Sequence, residues 1–253
     1  MNILNAFILG FAQGLTEFLP VSSSGHLLLL EKLGIGEPSL LFNVLLHLGS
    51  LLAVLIIFRK PLWQLLRHPF QKKTLYLLLA TVPTGAIALV FKYAFPTLLN
   101  GSYLALGFMT TACLLTATKV FENSNQKMLD GKISTICGIS QGIAVLPGIS
   151  RSGATISTLM LLGVPKEDAF EFSFLLSIPI ILASAVLESV EFFTIPQNIS
   201  YSPVAIVVGV LTAFISGFVA LKLFASIIRK HSLMPFAIYT AILSIVTLVL
   251  YLV

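Results

Sequence analysis

Two short stretches of this 253-residue chain place ionisable and hydroxyl side chains inside runs of apolar residues. The first stretch contains Glu17, three consecutive serines and His26. The second contains Arg151 between Ser150 and Ser152. A carboxylate, hydroxyls, an imidazole and a guanidinium can together bind phosphate and move protons. The two stretches therefore predict a site for phosphoryl chemistry.

The first stretch supplies a nucleophile, a base and an acid. Ser23 precedes His26 by three residues, so a helix would put both on one face, where the imidazole can remove the hydroxyl proton. Glu17 follows Gln13 by four residues on a shared face, and we assign Gln13 to substrate binding. A carboxylate at membrane depth costs about 2.5–3.5 kcal/mol on insertion scales. We therefore favour a working role for Glu17 over the alternative, a buried carboxylate satisfied by serine or backbone donors.

A helix start after Pro20 predicts an anion site. Pro20 ends a first half-helix, and Ser22, Ser23 or Ser24 can cap the next one. The free N–H groups and the helix dipole at such a start favour a phosphate. Ser22, Ser24 and Gly25 are assigned to substrate binding on this ground. Capping without any ligand contact is the alternative for Ser22 and Ser24.

Arg151 is the other charge within an apolar run. A guanidinium stays protonated and grips phosphate through paired N–H groups. Its neighbours Gly148, Ser150 and Ser152 form a second helix start, and we assign them to substrate binding as well. The alternative is an arginine that reaches the membrane interface or pairs only with Glu17. One half-helix from each stretch is a simple way to hold a diphosphate.

The composition defines the class of protein. Hydrophobic residues make up 57% of the chain and charged residues 10%, whereas soluble domains carry about 25% charged residues. The chain is therefore a polytopic membrane protein. Its net charge of +5 lies in short basic clusters between apolar runs, which is a topological signal and not a nucleic-acid surface. No nucleic-acid partner is expected.

The apolar runs predict an all-α polytopic membrane protein with two repeats of inverted topology. Each repeat, 1–122 and 133–253, is a re-entrant helical hairpin followed by three full spans, and a polar joint containing Glu122 lies between them. The predicted hairpins cover 3–34 and 133–164. The six predicted spans are 42–58, 75–92, 103–121, 170–188, 203–221 and 235–253.

Loop charge predicts the orientation of these spans. Lysines and arginines cluster in the segments 59–73, 119–132 and 222–230. The segments that lack both residue types are 93–102 and 189–202. Basic loops stay in the cytoplasm, so the two halves run in opposite directions and their hairpins enter from opposite sides. Broken helices of inverted repeats meet near the midplane, which brings residues 17–26 close to 147–153.

These residues resemble the bacterial undecaprenyl-diphosphate phosphatase family of the bacitracin-resistance type. The matching segments are 13–26, 147–157, 171–176 and 235–239, and the resemblance covers essentially the whole chain. It implies an enzyme of the bacterial plasma (inner) membrane that removes the terminal phosphate of undecaprenyl diphosphate. Such an enzyme recycles the lipid carrier for cell-wall polymers and confers bacitracin resistance. The family's essential acid, hydroxyl, imidazole and guanidinium fall on Glu17, Ser23, His26 and Arg151.

The resemblance also implies a divalent cation, Mg²⁺ or Ca²⁺. Some family members have glutamate where this chain has Gln13, so a site of two carboxylates is in doubt here. Glu17 and the substrate phosphates would then hold the ion, which is the usual arrangement for Mg²⁺. Membrane lipid and the polyprenyl diphosphate substrate are the expected partners, and a homodimer is compatible with this interpretation.

The sequence thus predicts a phosphatase whose site opens toward the outer side of the membrane. Ser23, or a water in its place, attacks the terminal phosphorus in line, while His26 takes the proton. The C55 tail lies between apolar spans.

A transporter or flippase for a polyprenyl phosphate is the alternative, because inverted repeats with broken helices are typical of transporters. The second stretch has Val145 and Ala154 where the first has an acid and an imidazole. This asymmetry between the stretches favours the enzyme.

Overall fold

The computed structural model describes residues 2–36, 40–121, 126–194 and 202–252. Within these ranges the chain is helical and forms no strand. The predicted joint residue Glu122 and the predicted outer-loop residues 195–201 lie outside them. The α-helices of the described ranges are α1 (Ile3–Phe18), α2 (Ser23–Lys32), α3 (Leu40–Ile57), α4 (Arg59–Arg67), α5 (Lys72–Ala94), α6 (Leu104–Val120), α7 (Gly131–Ile143), α8 (Arg151–Leu161), α9 (Lys166–Thr194), α10 (Pro203–Lys230) and α11 (Met234–Leu252).

Several of these helices are long and apolar enough to cross a membrane. Four described helices, α5, α9, α10 and α11, meet this condition, and α3 with α4 forms a fifth candidate that bends by 78°. Helix α6 is apolar but has only 17 residues, about 26 Å at 1.5 Å per residue. The predicted class, an all-helical polytopic membrane protein, is confirmed.

Helix ends differ from the predicted spans where charges occur. The predicted cytoplasmic segment after residue 58 is helix α4, which turns away from α3 and carries Trp63 exposed beside Arg67. Helix α10 continues to Lys230, well past the predicted end at 221. Charges end a hydrophobic run in the sequence, but they do not end a helix, because lysine and arginine are good helix formers.

The two predicted interruptions are confirmed. Helix α1 ends at Phe18 just before Pro20, and helix α7 ends at Ile143 before the Pro147–Gly148 step. Ser22 has φ 70° and is the one non-glycine residue with positive φ in the described part of the chain. This conformation is uncommon for residues with a Cβ and costs of order 1–3 kcal/mol. The strained turn places the start of α2 directly beside the end of α1.

Small residues let the broken helices pack closely against long ones. Helix α1 lies along α10, where a Cβ on Gly10 would stand 3.1 Å from Gly209 Cα. Helix α7 lies along α5, where a Cβ on Gly138 would stand 2.6 Å from Ala80 Cα. Backbones that approach this closely are typical of helix packing in membranes.

An aromatic cluster fills the interior on one side of the α1–α2 break. Its members include Phe18, Phe58, Phe170, Phe174 and Phe224, whose rings contact one another in edge and stacked arrangements. Because aromatic pairs of this kind add about 0.5–1.5 kcal/mol each beyond burial, the cluster fixes the end of α1 relative to α3, α9 and α10.

Two ion pairs join α5 to α9. Lys73 pairs with Glu171 near the start of both helices, and Lys92 Nζ lies 2.7 Å from Glu191 Oε2 near their ends. The sequence offered no partner for Glu171. Only the fold reveals one, because the partner is almost one hundred residues away along the chain.

Gly138 and Gly85 provide a test of close packing at matched helix-interior positions. Gly138→Ala should lower the thermal unfolding midpoint in detergent, because overpacking against Ala80 costs about 1–3 kcal/mol. Gly85→Ala meets open space and should raise the midpoint, since alanine is favoured over glycine by about 0.8–1.0 kcal/mol within a helix. Equal shifts in the two variants would contradict the α5–α7 contact.

Candidate active site

Glu17 is the centre of the polar site. Its side chain is 2% exposed, and its Oε1 forms an ion pair with the Arg151 guanidinium. Its Oε2 accepts a hydrogen bond from Ser23 Oγ at 2.5 Å and another from Gln13 Nε2 at 2.9 Å. The two interrupted hairpins therefore meet at one carboxylate. The sequence predicted that residues 17–26 lie close to residues 147–153, and the pair of Glu17 with Arg151 joins these two segments.

His47 is a member of the site that sequence reasoning missed. Its Nε2 lies 3.7 Å from Glu17 Oε2, and its Nδ1 donates to the Asn43 carbonyl oxygen at 2.8 Å. Because a carbonyl can only accept, this bond keeps the hydrogen on Nδ1 and turns Nε2 toward the carboxylate. An ionisable residue within an apolar run is a functional signal by itself. His47 carried that signal, but its sequence neighbours gave no partner.

His26 does not form the predicted pair with Ser23. Its Nδ1 donates to the Ser22 carbonyl oxygen at 2.7 Å, and its Nε2 lies 2.8 Å from Tyr239 Oη. The imidazole stacks on the Tyr239 ring and meets the Phe108 ring edge-on. Both residues lie on α2 as expected, but the Ser23 hydroxyl donates back across the break to Glu17 instead of to the imidazole. Helical spacing alone could not foresee these competing partners.

Serine side chains cap the helices that begin at the site. Ser22 Oγ accepts from Gly25 N at 3.4 Å at the start of α2, and Ser150 Oγ accepts from Gly153 N at 3.1 Å at the start of α8. The remaining N–H groups of each first turn have no partner within their own helix. Both starts therefore present the positive end of a helix dipole beside Glu17 and Arg151.

A cavity of about 250 Å³ opens beside these groups. The predicted site residues that line it are Glu17, Ser22, Ser23, Ser24, Ser150 and Arg151. The other walls come from α3, α7 and α9 and include His47, Gln141 and Ile181. The size suits a polar headgroup and leaves a long lipid tail outside.

The remaining predicted residues lie behind the cavity wall. Gln13 supports Glu17, and Ser152 Oγ donates to the Leu19 carbonyl oxygen at 3.3 Å, which joins the two hairpins. Gly148 has φ 89°, and its carbonyl oxygen accepts from Thr111 Oγ1 at 2.9 Å. A Cβ on Gly25 would lie 2.7 Å from the Phe108 ring. In the described structure these four residues shape the site without lining it.

The cavity extends along helix α9. Arg151 Nη1 donates to the Ser177 carbonyl oxygen at 3.5 Å, and Ser184 and Glu188 line the cavity farther along the same helix. The α9 residues that line the cavity run from Ile180 to Glu188, a rise of about 12 Å. The Ser184 hydroxyl donates to Glu188 Oε1 at 2.5 Å. The cavity is thus an elongated passage with the Glu17–Arg151 pair at one end.

The described residues do not form a protein-held site for Mg²⁺ or Ca²⁺. Both oxygens of Glu17 already accept from donors, and the Arg151 cation is one of them. No group of three or more His, Cys, Asp or Glu side chains with metal-binding geometry occurs among the residues searched. Mg²⁺ and Ca²⁺ prefer several oxygen ligands, so Glu17 in this arrangement does not fit as their ligand.

Fold and site together define an integral membrane protein with a buried, phosphate-complementary cavity built from two broken helices. Comparison of the sequence with protein families identifies which one. The family described as "Bacitracin resistance protein BacA" matches residues 6–246. The chain belongs to this family.

Relatives match over nearly the full length. A protein of Carboxydothermus hydrogenoformans named "Undecaprenyl-diphosphatase" is 43% identical over 99% of this chain and 98% of its own. Proteins of the same name from Korarchaeum cryptofilum and Methanobrevibacter smithii are 39% and 36% identical. They cover 98% and 97% of this chain, and 99% and 96% of their own lengths.

The Glu17–Arg151 pair should be coupled in stability. Arg151→Met leaves Glu17 buried without its cation and should lower the free energy of unfolding by about 3 kcal/mol. Combining Arg151→Met with Glu17→Gln should recover much of that loss, because no charge is then left unpaired. Thermal unfolding in detergent measures both effects.

Lys92→Met is the matched control for this cycle. It breaks the partly exposed pair with Glu191, and such pairs contribute about 0–1 kcal/mol. A loss in Lys92→Met as large as in Arg151→Met would contradict the special importance of the buried pair.

Proposed function

We propose that this protein hydrolyses undecaprenyl diphosphate to undecaprenyl phosphate and inorganic phosphate. Family membership and the printed names of the full-length relatives support this activity. The reaction returns the lipid carrier to cell-wall polymer synthesis and confers resistance to bacitracin. The single structural observation behind the mechanism is the Ser23 hydroxyl, 2.5 Å from a buried carboxylate and beside Arg151 in a headgroup-sized cavity.

The first chemical step uses Ser23 as nucleophile. Its Oγ attacks the terminal phosphorus in line as the bond to the bridging oxygen breaks, and undecaprenyl phosphate leaves. The hydroxyl proton passes to Glu17, which already accepts that hydrogen bond. A water in place of Ser23 would follow the same geometry. This role of Glu17 replaces the proton transfer first expected of His26.

Arg151 and the two helix starts neutralise the diphosphate. In the free protein Arg151 pairs with Glu17, and a diphosphate entering the cavity brings stronger bidentate acceptors for the guanidinium. The first-turn N–H groups of α2 and α8 add two fixed dipoles. These fixed dipoles need no reorganisation to stabilise the charge that develops in the transition state. His26 holds the turn at Ser22 through its bonds to that carbonyl and to Tyr239.

We also propose that the chain folds as two inverted repeats, each of which begins with a re-entrant hairpin. The helix packing supports it, because exchanging the halves preserves the pairs. Helix α1 packs on α10 as α7 packs on α5, while α3 packs on α9 and α6 on α11. The caps Ser22 and Ser150 hold equivalent positions. Helix α4 has no counterpart in the described part of the second half.

The site is proposed to open toward the outer side of the membrane. The basic residues between α3 and α5 favour a cytoplasmic location for that segment. Helix α9 then runs outward, and the passage from Arg151 to Glu188 leads to the outer surface. Family membership and the long apolar helices support a location in the bacterial plasma membrane.

The cation and the oligomeric state stay predictions. A requirement for Mg²⁺ or Ca²⁺ is compatible with an ion that enters on the substrate phosphates, and no step above is assigned to it. A homodimer is also predicted, but one chain already supplies Glu17, Ser23 and Arg151 to one cavity. Catalysis therefore does not need a second copy.

A flippase for a polyprenyl phosphate is the second candidate. Exchange-symmetric packing around a central cavity favours it, since transporters use this architecture. The chemistry is asymmetric, however, because Glu17 and Ser23 both come from the first hairpin while Val145 and Arg151 take their places in the second. This asymmetry favours hydrolysis.

Phosphate release from a C15 or C55 isoprenyl diphosphate tests the activity. Ser23→Ala and Arg151→Ala should each lower kcat/KM by about 1000-fold or more, because one removes the nucleophile and the other the cation that stabilises the transition state. The detergent-purified parent provides the reference at several Mg²⁺ and Ca²⁺ concentrations.

Exposed residues of the same types serve as controls for these variants. Ser102→Ala and Arg59→Ala lie outside the cavity and should match the parent. A folded parent that releases no phosphate with any cation would contradict the enzyme and place the flippase first. Activity retained in Ser23→Ala would instead assign the attack to water.

Thiol labelling in intact cells tests the orientation. In a Cys113→Ser background, a cysteine at Asn100 should react with a membrane-impermeant reagent, because this loop is expected outside. A cysteine at His68 should react only after permeabilisation. The reverse pattern would contradict the proposed opening of the site.

A further inference from the structure

Gln141 has a buried acceptor atom without a partner. The residue lies on helix α7, is 1% exposed, and lines the same cavity as Glu17 and Arg151. Its Oε1 makes no hydrogen bond within the described residues. A buried unsatisfied acceptor costs about 1–3 kcal/mol. The unpaired Gln141 oxygen is explained if a molecule that binds in the cavity during turnover donates a hydrogen bond to it.

The amide orientation of Gln141 is fixed by Thr84. Gln141 Nε2 lies 3.3 Å from Thr84 Oγ1. Thr84 Oγ1 donates its single hydrogen to the carbonyl oxygens of Ala80 and Gly138, each 2.8 Å away. Thr84 can therefore only accept from Gln141. The amide must point its NH₂ group at Thr84, which leaves Oε1 without a partner on a residue of the cavity wall.

The ligand of this oxygen must donate a hydrogen bond. Ionised phosphate oxygens are acceptors, so they are not suitable partners for Oε1. The donors that suit phosphate are Arg151 and the helix starts of α2 and α8, whereas Gln141 carries an unpaired acceptor in the wall of the same cavity. A water molecule donates one hydrogen to an amide oxygen and keeps a lone pair free for attack.

We propose that Gln141 positions the water that attacks phosphorus. This inference rests on the proposed phosphatase function and adds a water-positioning residue from the second hairpin. In the phosphoserine route the water attacks after the lipid product has left, and in the direct route it attacks the lipid diphosphate itself. Gln141 keeps its protonation state in both routes.

The hydrolytic step balances in either route. The water oxygen forms a bond to phosphorus as the bond from phosphorus to Ser23 Oγ, or to the bridging oxygen, breaks. One hydrogen of the water stays on the inorganic phosphate. The other leaves through Glu17 to solvent, and in the phosphoserine route Ser23 recovers the proton it had given to Glu17.

Gln141→Met is the main test, since methionine has similar length and no comparable acceptor. The full-length protein is compared with the parent for phosphate release from a C15 isoprenyl diphosphate. We expect kcat to fall about 100-fold, the scale of a misplaced reactant. KM and the affinity for a non-hydrolysable methylene-bridged analogue should stay within about twofold, because Gln141 does not hold the diphosphate.

A matched pair at Thr84 tests the same idea without changing Gln141. Thr84→Val removes the acceptor that orients the amide, so kcat should fall by about 10-fold with KM unchanged. Thr84→Ser keeps the hydroxyl and should stay within about twofold of the parent. If Gln141→Met does not fold, as judged by analogue binding, this pair still decides the question.

Each other outcome overturns the inference. Parent-like kcat in Gln141→Met shows that the amide oxygen does not hold the reacting water. Raised KM with unchanged kcat assigns Gln141 to the diphosphate, and a shifted cation requirement assigns it to a metal ion. A parent without phosphate release overturns the phosphatase itself, which separates that failure from a failure at Gln141 alone.

Discussion

The buried pair of Glu17 and Arg151 is the interaction on which the rest of the site depends. A single charge at membrane depth is costly, and removing one member of a buried pair is more costly still. The two charges come from different hairpins. Each charge is therefore compensated in the apolar interior only when both hairpins have folded. Ser23 and Gln13 add hydrogen bonds to the carboxylate. The carboxylate that folding must satisfy is therefore also the one to which we assign the proton transfer.

Broken helices make such a site compatible with an apolar protein. Backbone that leaves a helix within the membrane must find partners in protein or in a wet cavity. Here Thr111 bonds both Gly148 and Ser150 in the second break, and Ser152 bonds the backbone of the first at Leu19. The remaining first-turn N–H groups face the cavity region, where an anion can use them. Interrupting the helices thus creates the binding groups instead of leaving a defect.

The two imidazoles show how tertiary contacts redistribute roles. His26 lies three residues after Ser23 in the sequence, yet its ring bonds the Ser22 carbonyl oxygen and stacks on Tyr239. His47 lies on another helix, yet its Nε2 lies 3.7 Å from Glu17 Oε2. Neighbours along a helix predict which side chains can meet. They do not predict which contact forms when residues from elsewhere in the fold offer other partners to the same side chains.

The sequence by itself determined the class, the helix breaks and the chemical types at the site, because hydropathy and proline act locally. The interruptions at Pro20 and Pro147 and the convergence of Glu17, Ser23 and Arg151 followed from motif and topology. Only the tertiary structure decided the partners of Glu171, the place of His47 and the unpaired oxygen of Gln141. Each of these depends on residues distant in the chain, whose approach is set by helix packing, and helix packing leaves no periodic signal in the sequence.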